Sequence, residues 1–235
     1  MDRAQAHVVG VAFLAALTVV AVATMTATVG TVVEHRADAT AADRVATGLD
    51  DALAPRGAGP RETRVSTPGG GVRVVDREVR VLTGGASVRT LDANGLVYGS
   101  GADRVAFVAG GIARGRPGSA TLVSRPPLAV RNRTLLAGVT TLGAETGRAT
   151  DAPTAVVRTN VTHDRVARDG GNYRLAVETR TPGAWTRALP SGVNATTTDL
   201  DGDGVPSVVI EASSDRRLSL AVHRLRAQVS AGGQR

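Results

Sequence analysis

Three carboxylates at alternate positions in Asp199-Leu200-Asp201-Gly202-Asp203-Gly204 form the one local motif with metal-binding character. Such spacing lets side chains converge on a hard cation such as calcium, and glycine permits the sharp turn of a calcium loop. The continuation departs from a helical calcium loop. Its twelfth position is Ile210, Glu211 comes one residue late, and VPSVVIE has the composition of a strand. The competing reading is a glycine-rich hairpin turn between two strands. Asp199, Asp201 and Asp203 are therefore calcium candidates, and no other cofactor is expected.

Asn132, Asn160 and Asn194 each begin an Asn-X-Thr triplet and are candidate glycosylation sites, in keeping with an extracytoplasmic domain. The histidines, His7, His35, His163 and His223, are too scattered in sequence to suggest a triad or a zinc site, and His163 beside Asp164 reads as a surface loop. There is no phosphate-binding loop, dinucleotide fingerprint or nucleophile elbow, since Gly69–Gly71 lies between apparent strands with no helix after it. The chain is not expected to be an enzyme or to act on a small-molecule substrate.

The elements that would carry these residues are mostly strands. TRVSTPGGGVRVVDREVRVLTGGASVRTL alternates apolar with charged residues, and Gly69–Gly71, Gly84–Gly85 and Asn94-Gly95 punctuate it as turns of a half-exposed antiparallel sheet. Further strands are expected at TLLAGVTTL, TAVVRTNVT, NYRLAVETR, VPSVVIEAS and RLSLAVHRLRAQV. Within TPGAWTRALPSG, Thr181 would cap a short helix with Pro182 in its first turn, and Trp185 would plug the core as a structural residue.

Ahead of the strands, no formally charged residue lies between Arg3 and Glu34. Val8 to Val33 would form a helix of about 39 Å, longer than the ~30 Å of bilayer hydrocarbon. Then EHRADATAADRVATGLDDALAP places Ala42, Val45, Ala46, Leu49 and Leu53 at helical spacing until Pro55 and Gly57. The expected fold class is thus α+β: a long N-terminal transmembrane helix over 5–33 continues as an amphipathic helix over 34–55. An antiparallel β-rich domain with one short helix, pilin-like or a sandwich, would occupy 56–230, and 231–235 would be a tail. Arg3 as the sole charge before the span points to a cytoplasmic N-terminus and an outward C-terminal domain.

The opening MDRAQAHVVGVAFLAALTVVAVATMTATVG resembles the start of haloarchaeal type IV pilin-like proteins, with a short basic leader, a small residue and an uncharged helix opening on V-V-G. The resemblance covers about the first 35 residues. It implies processing at Arg3, Ala4 and Gln5 by a prepilin peptidase, with cleavage after Ala4 or after Arg3. It also implies retention of the helix as an anchor and then as a filament core packed with other pilin-like subunits. Two departures stand out: the fifth residue from Gln5 is Val9 rather than an acid, and the Ser-Pro of the commonest archaeal opening is missing.

Composition sets the limits on function. The 235 residues carry a formal charge of +7 and no cysteine, which excludes disulfide scaffolds and thiolate metal sites. Aromatics are 2% of the chain, so the core must be Val, Ala and Leu, and nucleic-acid stacking platforms are not expected. All 28 basic residues are arginine, interspersed with 21 acids. Two functions follow as expectations. One is a pilin-like structural subunit or minor pilin, anchored in the bilayer and assembled into a surface filament or pseudopilus. The other is a non-polymerising single-pass surface protein with a β-rich, calcium-binding ectodomain.

Overall fold

A computed structural model describes residues 36–57, 59–68, 70–99, 101–131, 134–143, 149–150, 152–168, 171–212 and 217–231. The chain divides into two units, Met1–Thr40 and Ala41–Arg235. Helix α1 is described over residues 36–53. The strands that follow are β1 (Gly59–Ser66), β2 (Val72–Val75), β3 (Glu78–Thr83), β4 (Ala86–Asp92) and β5 (Gly95–Tyr98). After a 3-10 turn at Gly101–Asp103 come β6 (Val105–Val108), β7 (Gly111–Arg114), β8 (Thr121–Ser124) and β9 (Leu128–Arg131). Next are β10 (Thr134–Leu142), β11 (Ala149–Thr150), β12 (Thr154–Arg168) and β13 (Tyr173–Glu178). Helix α2 (Pro182–Ala188) precedes β14 (Val193–Thr198), β15 (Ser207–Ala212) and β16 (Arg217–Ala231).

Three sheets result. The first has the order β1-β12-β16-β10-β9, the second β11-β2-β5-β6-β7-β8 and the third β14-β15-β13-β3-β4. Among the described pairings only β10 with β16 is parallel. Of the expected turns, Gly84-Gly85 closes a true hairpin, with Thr83 opposite Ala86. The other two are corrected. β1 and β2 belong to different sheets, and so do β4 and β5, so neither link closes a hairpin; Asn94 adopts φ 45° at the second. Its side-chain N–H donates to the carbonyl of Leu142 at 2.8 Å, which ties that turn to the end of β10.

Two apolar cores lie on opposite faces of the first sheet. In β16 the buried residues are Leu218, Leu220 and Val222, then Leu225 and Ala227. Alternate residues of a strand point to opposite faces, so this change of parity moves the strand's buried side from one core to the other. Leu218, Leu220 and Val222 join Val79, Leu175, Trp185 and Ile210 of the third sheet and α2. Leu225 and Ala227 join Leu49, Leu53, Leu96 and Phe107.

The α+β expectation is corrected: the described chain is mostly β, and among the described residues no helix is long and apolar enough to cross a membrane. The single-pass cell-membrane placement is corrected with it. Residues 5–33, the processing residues Arg3, Ala4 and Gln5, and the tail beyond Ala231 lie outside the described residues, as do His7 and His35. Helix α1 is the amphipathic one expected over 34–55. Ala42, Val45, Ala46, Leu49, Ala52 and Leu53 form a stripe buried in the β-built core, while Asp43 and Asp50 reach β7 and β8 of the second sheet. Asp43 pairs with Arg114, and Asp50 accepts a hydrogen bond from the Ser124 hydroxyl at 2.7 Å. This is an amphipathic helix packed on strands.

Candidate functional site

The acidic motif is the loop between β14 and β15, entered and left at the paired residues Thr198 and Ser207. Gly202 and Gly204 adopt φ of 79° and 81°, a region glycine enters without a Cβ penalty. Asp199 shapes the loop from inside: its two carboxylate oxygens accept the backbone N–H of Gly202 at 2.8 Å and of Gly204 at 3.0 Å. Asp203 accepts the N–H of Val205 at 2.7 Å. Asp199 is therefore engaged by its own backbone. Asp201 and Asp203 instead converge with Glu178, and one carboxylate oxygen from each lies within 4.8 Å of the others.

Glu178 comes to this place because it ends β13, opposite Ser207 in the pairing with β15, so the acidic loop arches back over it. Its side chain is 4% exposed. It accepts the backbone N–H of Glu78 at 3.2 Å and meets Arg77 at 3.4 Å. Burial raises its pKa, the Arg77 charge opposes that shift, and Asp203 and Asp201 add to it. Arg80 clamps the loop to β3 through Asp201 at 2.7 Å and Glu78 at 2.6 Å. Burial works against the Arg80 charge, but its hydrogen bonds to Asp201 and Glu78 outweigh this and raise its pKa. The Arg80 hydrogen bond in turn holds Asp201 below the usual carboxylate range.

Glu178, Asp201, Asp203 and Glu78 line a cavity of about 670 Å3, and Asp76 lines it too. Arg73 from β2, Arg104 before β6 and Arg180 before α2 make its basic part, and Arg77 from the β2–β3 link joins them to Glu178. Arg104 Nη1 is buried and has no hydrogen-bond partner among the described residues. Burial, then the charges of Arg77, Arg73 and Arg180, lower the pKa of Arg104. Burial also lowers that of Arg77, with Glu178 opposing.

The remaining candidates lie apart. Asn160 on β12 and Asn194 on β14 are exposed, and Asn132 lies outside the described residues. His163 is corrected from loop to strand. It stands on β12 opposite His223 of β16, their Nδ1 atoms 2.7 Å apart and their rings nearly perpendicular. Asp164, one residue on, pairs with Arg224 at 2.7 Å. Trp185, on α2, is 3% exposed and lies within the core. Sequence reading missed Glu178, Arg77 and Arg104. Of these, Glu178 carried a signal, being the acid at the foot of an apolar strand, NYRLAVE.

No curated protein and no solved structure matches the chain. One family model, described as a family of unknown function, matches residues 3–228. The expected description as a membrane protein with a transmembrane helix is corrected by the lack, among the described residues, of a helix long and apolar enough to cross a bilayer, and the family match gives the pilin-like description no support. The chain belongs to the DUF7289 family.

Proposed function

We propose that the chain is a non-catalytic binding protein whose β-built body recognises its ligand by charge, in the cavity between Glu178 and Arg104. The observation that carries this reading is the segregation of charge in one cavity. Glu178, Asp201 and Asp203 converge at one end, Arg73, Arg104 and Arg180 line the rest, and Arg77 bridges to Glu178, with Glu178 and the Arg104 Nη1 both drawn out of water. Burying charge without full pairing costs stability, which a ligand of opposite charge would restore. The charged side chains at the site are carboxylates and guanidiniums, and the paired imidazoles stand on a different sheet. Oxygen ligands of this kind suit a hard divalent cation at the acidic end, calcium above all.

The test is a thermal melt of the full chain titrated with calcium chloride. A ligand that binds only the folded state raises Tm with its concentration. The reading expects such a rise, and expects Asp203→Asn and Glu178→Gln each to remove it. No rise, or a rise that both variants keep, overturns the cation reading of the acidic end, and with no anion response either the reading of this cavity as a ligand site falls.

A further inference from the structure

The basic end of the same cavity offers a second kind of chemistry. An arginine side chain has five N–H donors and no acceptor, so every partner it takes must be an acceptor. Buried side-chain polar atoms in folded proteins are nearly always paired, and the unpaired Nη1 of Arg104 calls for an occupant. Its charged neighbours cannot supply one. Arg77, Arg73 and Arg180 are the charges that act on it, and all repel it, whereas no acid of the lining, Asp76 and Asp203 included, acts on it: Glu178 is engaged by Arg77 and the Glu78 N–H, Asp201 and Glu78 by Arg80, and Asp203 by the Val205 N–H.

We propose that this end of the cavity is an oxyanion site, anchored by Arg104 and closed by Arg73, Arg77 and Arg180, and that its ligand carries a phosphate or sulfate group. The proposal rests on the reading of this cavity as a ligand site. Guanidinium forks match the oxygen spacing of such groups and bind them through paired, charge-assisted hydrogen bonds. A tetrahedral dianion presents more acceptor oxygens than a planar carboxylate, and so suits several forks converging from β2, the β2–β3 link, the start of β6 and the chain ahead of α2. A volume of about 670 Å3 leaves room for more than the anion itself, so the group can be free or esterified.

The experiment is a calcium-free melting titration of the full chain with sodium phosphate, sodium sulfate and glycerol phosphate, against sodium chloride at equal ionic strength. Phosphate or sulfate is expected to raise Tm beyond the chloride control, and Arg104→Gln to weaken the apparent affinity by about tenfold or more, as loss of a charged hydrogen-bond donor does. Arg73→Gln and Arg180→Gln, at exposed positions, are expected to weaken it about two- to tenfold. They carry the test should Arg104→Gln fail to fold. Tighter binding of glycerol phosphate than of inorganic phosphate assigns the site to an ester, and the reverse assigns it to the free ion. No rise beyond chloride, or equal affinity in all folded variants, overturns the proposal. A calcium response without an anion response removes this inference alone, whereas an anion response without a calcium response removes only the cation reading of the acidic end.

Discussion

His163 and His223 meet Nδ1 to Nδ1 at 2.7 Å, on neighbouring strands, where the first sheet exchanges one core for the other. Val222 faces the core around Trp185, and Leu225, three residues on, faces the core around Leu49. His223 sits between them. A hydrogen bond between two Nδ1 atoms needs one to carry a proton and the other to accept it, so the pair holds together only while one ring is neutral. Burial, then the His163 charge, lowers the pKa of His223.

Acidification should therefore loosen this crossing. A base whose pKa is lowered by folding binds fewer protons in the native state, so stability is kept above the ordinary histidine value of about 6.5 and falls as pH drops through it. Arg165, which shares a cavity with His223, adds positive charge on that side, while Asp164 is held by Arg224. After solvent screening the loss between pH 7 and 5 should be about 0.5 kcal/mol. Urea titrations at both pH values should show it in the parent chain, and His223→Gln should show a smaller difference. An equal difference in both would remove the pair as its source.

Glu178 predicts a slope of opposite sign. Its raised pKa means that the folded chain binds more protons than the unfolded one just above the ordinary carboxylate range. Stability should then fall as pH rises through that window. Glu178→Gln keeps an acceptor for the Glu78 N–H and removes the buried charge. Between pH 4 and 7 the variant should show a flatter stability profile in urea titrations. At the upper end it should stand about 1 kcal/mol above the parent, the low end of what a buried and incompletely paired polar group costs. Calcium should reverse the parent's slope and leave the variant's unchanged. Parallel profiles in parent and variant would mean that the Glu178 charge is compensated in the fold.

The distance between partners decided what the sequence could reveal. Alternation placed strands at TLLAGVTTL and VPSVVIEAS, and both are strands within a residue or two. The change of parity in RLSLAVHRLRAQV is visible in the letters, but its meaning is not, because nothing local says that a sheet has a core on each side. Asp199, Asp201 and Asp203 share a loop, so their spacing was readable. The replacement of Asp199 by Glu178 depends on β13 pairing with β15, and the Arg77–Glu178 contact spans 101 residues. The helix over 36–53 showed its apolar stripe plainly, and its packing on the globular part follows from that stripe, because the domain after it is near enough in sequence to cover it. Ala42, Leu49 and Leu53 lie against strands of the same unit.

Trp185 carries the last prediction. Seven residues are too few for a helix to persist in water, so α2 must be held by what it packs against. Thr181 gives it no side-chain cap. Its hydroxyl lies 3.1 Å from that of Thr179, and only its backbone carbonyl receives the Ala184 and Trp185 N–H groups. What fixes the helix is Pro182 in its first turn and the indole, which enters the core with Leu175, Ile210 and Leu220. Trp185→Ala should cost about 3–5 kcal/mol, and Trp185→Phe less, as measured by urea unfolding followed by far-UV circular dichroism. Gly111 tests the same contact from the other side, because a Cβ there would stand 2.9 Å from Trp185 Cζ2. Gly111→Ala should destabilise the parent and cost less when combined with Trp185→Phe in a double variant, a non-additivity expected only of residues in contact. If the two changes add, the indole does not press on β7 and the plug lies elsewhere.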